Sequence, residues 1–343
     1  MHAGPVHVLS TMGFAEPFLQ KLRAVSPRLA VRQVTCHNAA EVAQALDAET
    51  EVLYTFHLPT DLAAASRLRW VQLHSAGADH LLSHPILAPD NPIQVTTTSG
   101  IHATPIGEFV LGCMLALIRR IPDMTCLHLD REWPKGRWER FAPRDLRGQT
   151  VGILGYGSIG REVGRLAAAF GMRVLALKFH PGRREDHGYV PPGLGDPKGE
   201  IPERFYGPEE RLDLLRESDF AVIALPLTEA THHFVGEAEL RAMKPTAYLV
   251  NIARGDLVDE MALVRALQEG WIAGAALDVF SQEPLPPDHP LWDVDPRRLI
   301  LSPHVAGFSL QYDERASDLF AENLRRYLAG EPLLNVVDKH RQY

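Results

Sequence analysis

Short apolar runs recur along the chain with helix-like stretches between them. Val6 to Leu9, Val31 to Val34, Val52 to Tyr54 and Trp70 to Leu73 read as strands, separated by segments such as Glu41 to Leu46. A second series begins at Thr150 to Leu154 and continues through Arg173 to Leu177, Phe220 to Leu225, Ala247 to Asn251, Ile272 to Val279 and Leu299 to Ser302. Apolar runs alternating with helices are the pattern of a parallel sheet covered by helices. The expected fold class is α/β, with two doubly wound parallel-sheet domains.

Between the two series, Ala103 to Ile118 is apolar on every face. That suits a helix buried on all sides, between domains or at a subunit interface, and equally a plain core helix. Ser309 to Ala329 carries Ala316, Leu319, Phe320, Leu324, Tyr327 and Leu328 on one face, with Gly330 and Pro332 as stop signals. Such a helix is expected to return to the first α/β unit, which makes the second unit an insertion. The ranges that follow are 1–101 with 306–343 for the outer domain and 102–305 for the inserted one. Pro181 to Pro208, rich in Gly, Pro and charge, reads as one long loop.

Composition narrows the partners. The chain has 343 residues, 45% hydrophobic and 23% charged, which is enough for two cores without staples. A formal net charge of -8 and no dense Lys/Arg tract argue against nucleic acid or an anionic membrane surface, leaving a small molecule as the expected ligand. Cys36, Cys113 and Cys126 fit no metal-ligand pattern and leave one unpaired under any disulfide scheme, so no metal is expected and a reducing compartment is. Met1 to Pro5 lacks the basic and apolar regions of a signal peptide, and the longest apolar run, Phe109 to Ile118, is too short to span a bilayer. A soluble, cytoplasmic protein is expected.

The strand Thr150 to Leu154 runs directly into Gly155-Tyr156-Gly157-Ser158-Ile159-Gly160 and then a helical pattern through Phe170. Gly155 permits a tight turn, Gly157 lets backbone approach a pyrophosphate, and Gly160 lets helix pack on strand, while the helix N-terminus presents N–H donors. Dinucleotide binding by a Rossmann-type domain follows; a glycine turn in another α/β fold, such as a methyltransferase, is the alternative. About 20 residues on, an NAD site usually places Asp or Glu against the ribose. Here stand Lys178, Arg183 and Arg184. A carboxylate would repel a 2′-phosphate and these cations would pair with it, so NADP(H) is favoured over NAD(H), unless they are only solvated loop charges.

Further along lie Asn251-Ile252-Ala253-Arg254-Gly255, Leu277-Asp278-Val279-Phe280-Ser281-Gln282-Glu283-Pro284 and Ser302-Pro303-His304-Val305-Ala306-Gly307, each just past a predicted strand. Ligands of open α/β sheets bind at that edge, so Arg254, Glu283 and His304 are placed to converge. With Ser75-Ala76-Gly77-Ala78-Asp79, Pro226-Leu227-Thr228 and Met243-Lys244-Pro245 in the same order, nearly the whole chain resembles the D-isomer-specific 2-hydroxyacid dehydrogenase family. The resemblance implies a Rossmann-type cofactor domain inserted in a flavodoxin-like substrate domain. It also implies hydride transfer between a nicotinamide cofactor and a small 2-oxo or 2-hydroxy acid, and a homodimer formed through the cofactor domain.

The roles implied agree with the residue types. Arg254 offers a planar fork to the substrate carboxylate and keto oxygen. His304 would be the general acid/base, since an imidazole exchanges its proton near neutrality, and Glu283 beside it would fix its tautomer. By resemblance Asp278 contacts the nicotinamide carboxamide, although a strand-end cap explains it too. Thr104 similarly is either a cofactor contact or an N-cap. Pro226 and Ala253 fall among the cofactor residues by the same resemblance. Backbone N–H groups near Ala76 and Gly77 would receive the carboxylate, with His57 as a reader of a polar tail or a structural residue.

Phosphoglycerate-specific relatives usually present an arginine near Tyr54-Thr55-Phe56-His57, where this chain has none, and the C-terminal regulatory domain that some of them carry is not expected here. Glyoxylate or hydroxypyruvate is therefore the expected substrate, with phosphoglycerate dehydrogenase-like activity as the alternative. Trp133 and Trp138 form an apolar wall of the pocket or only cover the domain junction. A non-catalytic NAD(P)-binding sensor resembling a co-repressor remains a different class of reading. Its signature, a damaged Arg254, Glu283 and His304 set, is not present.

Overall fold

Parallel pairing begins at the first apolar run. In the computed structural model, which describes residues 4–340, β1 (Val6–Ser10) lies between β2 (Leu29–Gln33) and β3 (Val52–Thr55), and β4 (Trp70–Leu73) and β5 (Gln94–Thr96) extend the sheet. Every pair is parallel, and the order β2-β1-β3-β4-β5 is the flavodoxin-like doubly wound order. β3 and β4 are buried along their whole length, as strands covered on both faces must be. The long helix Tyr312–Ala329 packs here, its Ala316, Leu319, Phe320 and Leu324 buried with Val6, Val8, Tyr54 and Trp70.

A second sheet has seven parallel strands: β6 (Thr150–Leu154), β7 (Arg173–Leu177), β8 (Arg204–Tyr206), β9 (Phe220–Ile223), β10 (Tyr248–Asn251), β11 (Gly274–Leu277) and β12 (Leu299–Leu301). Their order is β12-β11-β10-β9-β6-β7-β8. Chain direction across the sheet reverses between β6 and β9, and a ligand crevice opens beyond the carboxyl ends at such a reversal. The helix Ala103–Ile118 packs against the helix Ser158–Ala169, where a Cβ on Gly107 would touch Glu162 and Leu166 at 3.0 Å. It is buried on most of its circumference, but Glu108 and Gly112 reach solvent.

Contacts divide the chain into two units. One runs to His102, takes in His187–Pro191 and resumes at Ser309; the other comprises Ala103–Asp186 and Pro192–Phe308. Pro181 to Pro208 is accordingly not a single loop: it contains β8, and its middle belongs with the five-stranded unit. Of the N-terminal stretch Met1 to Pro5, residues 1–3 lie outside the described residues. Among the described residues no helix is long and apolar enough to cross a membrane, and no cluster of His, Cys, Asp or Glu is arranged to hold a metal ion.

Candidate active site

The glycine turn is shaped by contacts that exclude side chains. Gly155 has φ +103°, and a Cβ there would lie 2.5 Å from the Ala224 carbonyl oxygen. Its N–H donates to the Leu177 carbonyl at 3.1 Å, joining the turn to the end of β7. A Cβ on Gly160 would stand 2.1 Å from the Gly155 oxygen, so helix and turn meet only through glycine. Gly157, the N-cap, is exposed, offers no side-chain cap to the helix, and has nothing within 4 Å of where a Cβ would be. Open space before a helix N-terminus whose N-cap is a glycine fits a pyrophosphate. Ser158 and Ile159 begin that helix. Tyr156 is different: its side chain is buried and its hydroxyl donates to Asp196 at 2.9 Å, with burial and that carboxylate pushing the phenol far above its ordinary value. Only its backbone is available to a ligand.

At the end of β7, Lys178 is half-buried, and its Nζ donates to the Arg183 carbonyl at 2.7 Å. Burial lowers its pKa, and the Arg161 charge adds to that. Arg183 and Arg184 are exposed, with the Arg184 guanidinium 5.4 Å from the Phe205 ring centre on β8.

The ends of β10, β11 and β12 hold the charged groups. Buried Asn251 closes the loop after β10, accepting from Ala253 N–H at 3.1 Å and donating to the Arg254 carbonyl at 2.9 Å. Arg254 is half-buried and donates to the Ala253 carbonyl at 2.7 Å. A Cβ on Gly255 would lie 1.9 Å from the Phe280 carbonyl carbon, so this glycine lets the Arg254 loop press against the loop after β11. In that second loop, Glu283 accepts from Phe280 N–H at 2.9 Å through one oxygen and meets His304 Nδ1 at 2.7 Å through the other. His304 sits at φ +54°, an uncommon conformation for a non-glycine residue, and its side chain is 48% exposed. The structure thus brings Glu283 and His304 into contact and packs the Arg254 loop on the loop that carries Glu283.

Asp278 is 2% exposed and accepts from Ser302 Oγ at 2.5 Å, Val305 N–H at 2.9 Å and Ala306 N–H at 2.9 Å. It ties the end of β11 to the loop that carries His304. Burial, with the Asp278 charge adding to it, pushes the Cys113 thiol up to about 12, which leaves that cysteine protonated and inert at neutral pH. Two supports were not singled out from the sequence. Glu260 accepts from Ser281 N–H at 2.8 Å, and His289 stands 3.2 Å from its other oxygen. Thr104 lies in the first turn of Ala103–Ile118, and the exposed Pro226 accepts from Thr231 Oγ1 at 2.7 Å.

In the five-stranded unit, Ser75 Oγ donates to the Gly77 carbonyl at 2.8 Å, and Thr98 N–H donates to the Ser75 carbonyl at 2.9 Å, which together shape the turn holding Ala76. His57 lies against Phe56, ring centres 5.0 Å apart. His74, just before the turn, was not anticipated: its Nδ1 is 2.7 Å from the buried Tyr54 hydroxyl, and burial, helped by His102, lowers its pKa to about 4. Trp133 and Trp138 are 83% and 80% exposed on the single chain.

Residues 111–306 match the family model described as D-isomer specific 2-hydroxyacid dehydrogenase, NAD binding domain. A glyoxylate reductase from Thermofilum pendens is 39% identical over 279 residues, 80% of this chain and 76% of that one. A D-isomer specific 2-hydroxyacid dehydrogenase from Xanthobacter autotrophicus, solved with NADPH and MES, superposes with a TM-score of 0.77 at 29% identity, covering 99% of this chain and 100% of the other. An NADPH-dependent glyoxylate/hydroxypyruvate reductase from Sinorhizobium meliloti, solved with NADP and sulfate, gives 0.76 at 25% identity over 98% and 100%.

Proposed function

The chain belongs to the D-isomer specific 2-hydroxyacid dehydrogenase family and is a nicotinamide-dependent oxidoreductase, and on that premise we propose that it reduces glyoxylate or hydroxypyruvate to the 2-hydroxy acid with NADPH. The reading is carried by the 2.7 Å contact of His304 with Glu283, on a loop that Gly255 lets the Arg254 loop reach. Glu283 engages Nδ1, which turns the opposite ring nitrogen of His304 to the substrate oxygen as proton donor. Arg254 pairs with the carboxylate and stabilises charge growing on the keto oxygen. The reduced nicotinamide supplies the hydride. Asp278 acts by holding the His304 loop, and its strand-end anchoring is favoured over direct contact with the carboxamide by its three hydrogen bonds within the chain. Ala76 and Gly77 receive the carboxylate through backbone N–H groups.

For the cofactor, Lys178, Arg183 and Arg184 stand where NAD sites usually carry a carboxylate, and the two solved relatives hold NADPH and NADP. A homodimer through the cofactor domain accounts for Ile121, Met124, Leu129, Trp133 and Trp138, which a lone chain leaves exposed within one short stretch. Free Cys36, Cys113 and Cys126 favour the cytoplasm.

The test is absorbance at 340 nm with NADPH and separately NADH against glyoxylate, hydroxypyruvate, pyruvate, phenylpyruvate and 2-oxoglutarate. Highest kcat/KM for the first two acids with NADPH is expected. Activity confined to other acids would overturn the substrate, and equal or better use of NADH would overturn the cofactor. A monomer mass by light scattering would refute the dimer.

A further inference from the structure

Arg161, one position past the glycine turn, is 1% exposed, which for a cation demands a reason. Its guanidinium donates to the carbonyl oxygens of Asp196 and, at 2.5 Å, Arg184, and its Nε lies 3.3 Å from the Asp186 carboxylate. The next helix residue, Glu162, accepts from Gly195 N–H at 2.7 Å. Tyr156, from the turn itself, donates to Asp196, and the Arg161 guanidinium lies 5.1 Å from the Tyr156 ring centre. Both necks of the insertion after β7 are thereby fastened to the helix that begins at the phosphate-binding turn. The necks also meet each other: Asp186 N–H donates to the Pro197 carbonyl at 2.8 Å, and a Cβ on Gly199 would lie 2.6 Å from the Arg184 oxygen.

The consequence falls on the basic segment. Lys178 bonds back to Arg183, and Arg184 is the residue whose carbonyl Arg161 holds. Three cations within seven positions repel one another, and without an anchor the exposed pair would scatter over many conformations. Ordering them beforehand removes that cost from the binding of a phosphate. We infer that Arg161 is a positioning residue for cofactor choice: by fixing the carbonyls of Arg184 and Asp196 it holds Lys178, Arg183 and Arg184 where a 2′-phosphate is recognised. This rests on the NADPH reading above, and Arg161 itself, being buried, touches no cofactor.

The experiment is calorimetric binding of NADPH and NADH to the full chain, wild type against Arg161→Met, which keeps the bulk and removes the donors. NADPH should bind the variant about tenfold more weakly, while NADH changes less than about twofold. A purely structural clamp would shift both alike. Arg161→Lys, which keeps the charge without the fork, serves if the methionine variant does not fold, and should move the ratio in the same direction. Wild type that prefers NADPH, with the preference intact in the folded variant, overturns the inference alone. Wild type that binds the two cofactors equally overturns the NADPH reading and the inference with it, and wild type that binds neither overturns the oxidoreductase reading beneath both.

Discussion

The two sheets prepare their carboxyl ends by opposite means. Beyond the five-stranded sheet the candidate substrate turn is backbone, shaped by Ser75 and Thr98, and the titratable group behind it, His74, is held uncharged against Tyr54. Beyond the seven-stranded sheet, charged side chains stand at one strand end after another, and each is held by a second group: Arg254 by its Asn251-closed loop, Glu283 by Phe280 N–H, His304 by Glu283. A site that receives an anion on backbone amides needs shape, whereas a site that moves a proton needs fixed charges. The contrast therefore predicts that side-chain changes cost catalysis in one unit and mainly stability in the other.

The largest break is His304→Ala, which should lower kcat/KM by about 10²- to 10⁴-fold in steady-state assay with little change in Tm. Gly255→Ala comes next, because its Cβ would overlap Phe280: a loss of about 3 kcal/mol in denaturant unfolding is expected, with activity lost as well. Asp278→Asn turns a donor toward one of the two backbone N–H groups the carboxylate now accepts from, at a cost of about 2 kcal/mol and with a raised KM for substrate.

A smaller effect sharpens the comparison from the five-stranded side. The folded His74 binds its proton near pH 4, while an unfolded histidine does so near 6.5. Between those values the unfolded state binds more protons, so stability falls as the pH is lowered through this window. Wild type should lose ~2 kcal/mol more than His74→Asn between pH 7 and pH 4.5, read as Tm. Smallest of all, His57→Ala should change kcat/KM for glyoxylate by less than about threefold, since a two-carbon acid has no polar tail for it to read.

Much of this was legible in the sequence where local pattern and contact coincide. Ten strands announce themselves as apolar runs, and the glycine turn needs only its spacing. β5 and β8 did not: each has three residues, and Gln94–Thr96 and Arg204–Tyr206 carry too few apolar positions to form a pattern. Arg254, Glu283 and His304 were visible as types at strand ends, but the fit of Gly255 against Phe280 depends on two chain segments some 25 positions apart. Arg161 was hidden for the same reason, its partners lying 23 and 35 residues away in what reads as loop. One signal was present: a cation near a helix N-terminus opposes the helix dipole, and such a residue needs a tertiary partner. The inertness of Cys113 and the neutrality of His74 come first from burial, with Asp278 and His102 adding to it, and no spacing encodes either.

The central claim is that a Glu283-held His304 delivers the proton while the cofactor site stands independently of it. The most direct measurement is NADPH binding and glyoxylate turnover on the same preparation of His304→Ala. Unchanged NADPH affinity with turnover reduced at least about a hundredfold is the predicted result. Turnover within a few fold of wild type, with the same affinity, would contradict it.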